Sequence, residues 1–328
     1  MSLFNYSDEV TSLLEKASYL NKNDVYDFTS SPLSNIYESF YQFCQENLRN
    51  YCNDYEIQPS YIFFNEDTRV NAYATLKNET YIISINKGTI FELYNLFSNN
   101  HVFKNSEILQ EYVKLQSCFD SPIETLMFQL STQFTYYHEL GHLIQKSPSL
   151  INGLNENYHK DFALVKHLME FDADLHAANN IAFHVLQYWN NFMPQCQSKE
   201  NLERVIAISI ASIFSYFTLL FQSFSKELYY YSNTHPHPLI RISYIVPTFI
   251  DVMNIHFEVN QKNVINKAFT IVDEILKINN FENLDNTYKD RLFRELKNVH
   301  TYIKNLIDEA DKLPFLAVNK VHKKNMGK

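Results

Sequence analysis

Apolar residues recur at three- and four-residue spacing over 8–20 and again over 32–53. In the second stretch Ile36, Tyr37, Phe40, Phe43, Cys44 and Leu48 fall on one face, which predicts an amphipathic helix opening at Pro32 and Leu33. The period then drops to two. Tyr61-Ile62-Phe63-Phe64 is a short apolar run, and Val70, Ala72, Ala74 and Leu76 alternate with Asn71, Tyr73 and Thr75. Tyr81, Ile83 and Ile85 alternate with Thr80 and Ser84, and Lys77-Asn78-Glu79 is a connection of hairpin length. These signals predict a small antiparallel sheet of about three strands. From 89 onward the helical period returns. Ser121, Pro122 and Glu124 read as a capping box with proline at the first helical position, starting a helix that ends near Lys146, before Ser147-Pro148. Further helices are predicted over 160–192, 200–227, 238–255, 262–279 and 285–312. The expected class is α+β, mainly helical, with one small antiparallel-containing sheet. The expected organisation is a single domain, 1–328, with its core at 56–245, a helical surround at 1–55 and 246–318, and a basic tail at 319–328.

Composition narrows the function classes. Only four of 328 residues are glycine, where an average chain would carry roughly 23. No glycine-rich phosphate loop of the Walker or dinucleotide-binding kind can be written. The net charge of -9 argues against a nucleic-acid surface. The one basic cluster, Lys320, Lys323, Lys324 and Lys328, lies at the end of the chain.

The four cysteines, Cys44, Cys52, Cys118 and Cys196, form no CxxC pair, which excludes a cysteine zinc site and suits a reducing, cytoplasmic setting. The first residues, MSLFNYSDEV, carry no signal-peptide pattern. Residues 205–225 hold no charged side chain, but Ser209, Ser212, Ser215, Thr218 and Gln222 make a polar stripe at helical spacing. A buried core helix is therefore expected there, ahead of a membrane-associated one.

The chemistry sits in Tyr137-His138-Glu139-Leu140-Gly141-His142. Helical geometry puts His138 and His142 on one face, so both imidazoles can reach one zinc ion. Glu139 is rotated about 100° from His138 along the helix. Its carboxylate can border the metal without ligating it and take a proton from water. A third ligand has to come from elsewhere. Glu170, in Glu170-Phe171-Asp172-Ala173-Asp174, is the best candidate. Asp174 shares its face and can orient a ligand imidazole, while Asp172 points to the opposite side. His167 and His176 are rival ligands.

HExxH followed by Glu170-Phe171-Asp172-Ala173-Asp174 resembles the pattern of the gluzincin zinc metallopeptidases. The spacing is closer to the HtpX and prenyl-protease family and its soluble minimal relatives than to the thermolysin type. Asn71-Ala72-Tyr73-Ala74 resembles that family's edge-strand motif, and His235-Pro236-His237-Pro238-Leu239-Ile240-Arg241 its C-terminal motif. The resemblance spans 71–241. It implies a zincin-like metalloprotease fold with the sheet beside the active-site helix. It also implies a Zn2+ cofactor and a protein or peptide substrate.

Residue by residue, His138, His142 and Glu170 are implied as ligands, Glu139 as general base and Asp174 as the orienting partner. Asn71 lies on the implied substrate strand, Arg241 ties the site together, and His235 faces the oxyanion. His237 stands where the family often has another residue, so which of His235 and His237 faces the metal stays open. The chain also resembles, more loosely, the Lit-type phage-exclusion peptidases, which implies a role in defence or stress. Two other readings rest on the same features. One is a zinc-containing module that grips a partner strand without catalysis, and the other is a membrane-associated peptidase anchored through 205–225.

Overall fold

The computed structural model describes residues 4–99, 101–148, 150, 162–192, 194–220, 227–279 and 287–312. They form two compact units, each discontinuous in sequence. The first comprises Met1–Glu92, Thr135–His176 and Asp308–Lys328, and the second Leu93–Phe134 and Ala177–Ile307. The basic tail, Gly153 and the end of the apolar stretch at 221–226 lie outside the described residues.

The first unit begins with helices Tyr6–Lys16 and Ser34–Cys52, close to the ranges their periodicity predicts. Three strands follow: β1 (Ser60–Asn65), β2 (Ala72–Lys77) and β3 (Thr80–Asn86). The sheet order is β1-β3-β2. β2 and β3 form the expected hairpin, closed by Asn78 and Glu79 with φ of 49° and 58°. A two-residue turn with both central φ positive matches the twist of paired strands, and here it is built without glycine.

β1, however, runs parallel to β3, with Asn65 opposite Asn86, so the sheet is mixed rather than antiparallel throughout. The parallel pairing requires residues 66–71 to cross over the end of β3. Asp67 O there accepts from Gly88 N, and Arg69 O accepts from Asn86 Nδ2. Gly88 therefore has no room for a side chain, since a Cβ would lie 1.9 Å from Thr68 O. It lies in the first turn of the helix Lys87–Tyr94. Tyr6, Phe28, Tyr37, Tyr41 and Phe64 interlock in ring contacts that fasten the N-terminal helices to β1.

The motif helix runs Ile123–Gln145 and the Glu170 helix Phe162–Asn190. The capping box expected from Ser121 and Glu124 does not form. Gln116 Oε1 instead accepts from Ile123 N at 2.9 Å, and Gln116 Nε2 donates to Ser121 O. A longer amide side chain from the preceding turn reaches the exposed donor more directly. In the first unit, Phe43 packs edge-on against Tyr136 and Tyr137, and Asn47 Nδ2 donates to Tyr137 Oη at 3.0 Å. Tyr81 Oη of β3 donates to Lys146 O at 3.4 Å, which brings the sheet against the C-terminal end of the motif helix.

In the second unit the apolar helix Lys199–Leu220 packs along Gln261–Ile278. It is long and apolar enough to cross a membrane, yet 94% of its eighteen-residue window is buried. Part of the polar stripe is satisfied inside the protein, while Ser215 Oγ is buried without a hydrogen-bond partner among the described residues and Gln222 lies outside them. Ser209 and Ser212 donate to the carbonyls one turn back, Thr218 to Ser215 O, and Ser131 Oγ to Ser212 O. Cys118 and Cys196 form a disulfide across 78 residues, a pairing that the absence of CxxC gives no hint of. Cys44 is a buried free thiol as expected, and burial raises its pKa.

Candidate metal site

Both helices that carry the site reach it through the first unit, with the motif at 138–142 and its partner at 170–174. Gly141 sets their spacing: a Cβ there would lie 3.0 Å from Ala173 Cα. With the helices that close, three groups converge. His138 Nε2 and His142 Nε2 are 3.1 Å apart. Glu170 Oε2 lies 3.5 Å from the first and Oε1 lies 3.3 Å from the second. The His138, His142 and Glu170 ligand atoms all fall within 4.8 Å of one another, so they can hold a metal ion. Two nitrogens and a carboxylate, mostly buried, are a donor set that suits a metal cation, and no fourth His, Cys, Asp or Glu joins the cluster among the described residues.

Asp174, fully buried, places Oδ1 2.9 Å from His138 Nδ1. The carboxylate only accepts, so Nδ1 carries a hydrogen and Nε2 faces the cluster, its lone pair free for a cation once the ring is neutral. Burial acts to lower the His138 pKa, but hydrogen bonds and negative charge from Asp174 and Glu170 outweigh it and raise the value to about 10. For Glu170, burial acts upward. The His142 charge and the hydrogen bonds from both imidazoles overcome it and hold the carboxyl well below its usual range. A site that stabilises positive charge on the His138 imidazole this strongly is built around an excess of carboxylate, which a cation can neutralise.

Glu139 is 7% exposed and makes no hydrogen bond or ion pair with a described residue. It is not part of the metal cluster, as its rotation on the helix requires. Lys146 is half-buried one turn beyond His142, and its Nζ donates to His142 O at 3.3 Å. Burial lowers its pKa, against the pull of the Glu139 and Glu170 charges.

The rival histidines lie outside the cluster. His167 is fully buried. His176 is 4% exposed, faces the Tyr137 ring at 6.4 Å, and has its pKa lowered to about 4 by burial and then by the His138 charge. Asn71 precedes β2, which pairs on one side with β3. Asn71 Oδ1 accepts from Ala72 N, and its carbonyl accepts from Thr89 Oγ1.

His235, His237 and Arg241 belong to the second unit. His235 is exposed, with Nδ1 2.8 Å from Thr234 Oγ1. His237 is buried and caps the helix Pro238–Asn254, its Nδ1 accepting from Leu239 N at 3.2 Å. Arg241 is buried with its guanidinium 4.6 Å from the centre of the Phe217 ring.

Sequence reading overlooked Gln145. Its Oε1 lies 2.9 Å from His142 Nδ1, and its Nε2 donates to Met169 O at 2.9 Å and Asp172 Oδ2 at 2.7 Å. The signal was available, since Gln145 sits three residues after His142 on the same helix face. Asp172 does leave Glu170's face as its spacing requires, but Gln145 reaches across to it.

No protein-family model, curated protein or solved structure matches this chain.

Proposed function

We propose that the chain is a zinc-dependent metallopeptidase hydrolysing peptide bonds of a protein or peptide substrate. The observation that carries this reading is the convergence of His138 Nε2, His142 Nε2 and the Glu170 carboxylate, with the adjacent Glu139 carboxylate making no hydrogen bond or ion pair to a described residue. A structural zinc site closes all four positions with protein ligands. Three ligands with a neighbouring base leave a position for chemistry.

Zinc held by His138, His142 and Glu170 would supply Lewis acidity toward a carbonyl and toward water. His138 and His142 would hold the ion through Nε2, and Asp174 keeps the His138 ring turned for that purpose. Glu139 accepts the proton of the attacking water and hands it to the departing amine, so that a neutral amine leaves. Burial of the site raises the strength of these electrostatic contacts by excluding bulk water. Strand β2, with its second edge unpaired by any described strand, offers backbone groups to an extended peptide, and Asn71 fixes where that edge begins.

The test is cleavage mapping in a cell lysate with the native chain against Glu139→Gln. New peptide termini with the native chain alone support the reading. Identical termini, or none, with both proteins contradict it.

A further inference from the structure

The geometry points to Gln145 and Asp172 as a positioning pair that fixes the tautomer of His142, so that its Nε2 and not its Nδ1 faces the ion. This inference rests on the metal-site reading above, though not on peptidase activity.

An amide has one accepting and one donating end, which coordinates alone do not distinguish. Here the surroundings decide. One end of the Gln145 amide faces Met169 O at 2.9 Å and Asp172 Oδ2 at 2.7 Å. Both are acceptors, so that end is the NH2 group and its two hydrogens are both used. The other end, Oε1, then faces His142 Nδ1 at 2.9 Å. An amide oxygen can only accept, so His142 Nδ1 carries a hydrogen. The lone pair of the neutral ring is then on the remaining nitrogen, Nε2, the atom 3.3 Å from Glu170 Oε1 and the one a cation would meet once its proton has left.

Gln145 and Asp172 are each 1% exposed. The flip would set the amide oxygen against a carboxylate and a carbonyl. Asp172 thus locks the amide, and the amide locks the imidazole. The two ligand histidines are oriented differently as a result. His138 meets a carboxylate directly, whereas His142 meets a neutral amide with the Asp172 charge one residue removed. The second imidazole is therefore held in place without a second full negative charge against its ring, which leaves the bound ion more acidic than two direct carboxylates would.

The test begins with the unaltered chain. Two-bond proton–nitrogen spectra of histidine-labelled protein, metal-free and loaded with zinc or cadmium-113, report which ring nitrogen carries hydrogen and which is coupled to the metal. The expected result is Nδ1–H in every form, with cadmium coupled to Nε2. An unprotonated Nδ1, or coupling through Nδ1, overturns the inference whatever the variants do. If the chain binds neither ion, the metal-site reading fails, and the metal-free spectrum still decides the tautomer.

Gln145→Met keeps the volume and removes the acceptor, and zinc affinity should fall about 10- to 100-fold. Asp172→Ala should do the same by freeing the amide. Asp172→Asn can still accept from Gln145 and should recover most of the loss. Wild-type affinity and an unchanged tautomer in both Gln145→Met and Asp172→Ala would overturn the pair's role. A loss in Asp172→Ala that Asp172→Asn does not recover would overturn the lock.

Discussion

Gly141 stands against Ala173, so close that a Cβ on Gly141 would be 3.0 Å from Ala173 Cα and 3.3 Å from Ala173 Cβ. Real Cβ atoms rarely approach backbone that closely. Glycine inside a helix costs about 1 kcal/mol relative to alanine, and this chain has four in 328 residues. The contact accounts for one of them: it lets the two ligand-bearing helices meet nearly backbone to backbone. Gly141→Ala has to push the helices apart by a few tenths of an ångström, which offsets its gain in helix propensity. Gly141→Leu overpacks the contact, at a cost of about 1–3 kcal/mol, and separates Glu170 from the two imidazoles. Zinc titration of the folded variants should show a slight loss for Gly141→Ala and a large one for Gly141→Leu. Equal affinities would make the glycine incidental.

Zinc binding should release protons. The metal-free site holds a proton on His138 up to about pH 10. Both imidazoles must be neutral at Nε2 to bind the ion, so protons and zinc compete. Affinity should rise with pH through the neutral range. Calorimetric zinc titrations at pH 7 should give heats that scale with the ionisation heat of the buffer. Heats independent of the buffer would show that no proton leaves.

In the metal-free protein two histidines should make opposed contributions to stability as pH changes. A folded-state pKa of about 10 for His138, above the ordinary histidine value of about 6.5, adds stability below pH 6.5, and that stability fades as pH climbs toward 10. His176 acts the other way. Its folded-state value of about 4 means that burying it neutral costs stability as pH falls from 6.5 toward 4. Denaturant unfolding of His176→Phe should show a shallower loss between those limits than the native chain. Parallel profiles would remove His176 as the cause.

Reduction should weaken the second unit. The Cys118–Cys196 bridge closes a loop of 78 residues, and such cross-links contribute about 2–4 kcal/mol. Thiol counting on the denatured, unreduced chain should find two groups, those of Cys44 and Cys52, and four after reduction. Reduction should also lower the melting temperature. Four thiols before reduction would contradict the bridge.

The site was legible to the depth at which spacing along one element decides geometry. His138 and His142 share a helix face, as do Glu170 and Asp174, and the structure brings His138, His142 and Glu170 together with Asp174 behind His138. The helices and the three strands were legible too, because burial imposes a period of 3.6 or 2 on the chain. What escaped depends on contacts between elements. The parallel pairing of β1 with β3 is set by the crossover at 66–71, which has no period. Gln116 displaced Ser121 as the cap because a neighbouring turn happened to be within reach. Gln145 and Asp172 each look ordinary on their own helix, and only the close approach at Gly141 makes them partners. The Cys118–Cys196 bridge joins positions that no local pattern relates.

The central claim is that His138, His142 and Glu170 hold zinc while Glu139 stands beside it as the base. Metal analysis of protein purified without chelator tests it most directly. The native chain and Glu139→Gln should each carry about one zinc per chain, Glu170→Ala should carry none, and Glu139→Gln should have lost peptide hydrolysis. A native chain without stoichiometric zinc, or a Glu139→Gln variant that still cleaves, would contradict the account.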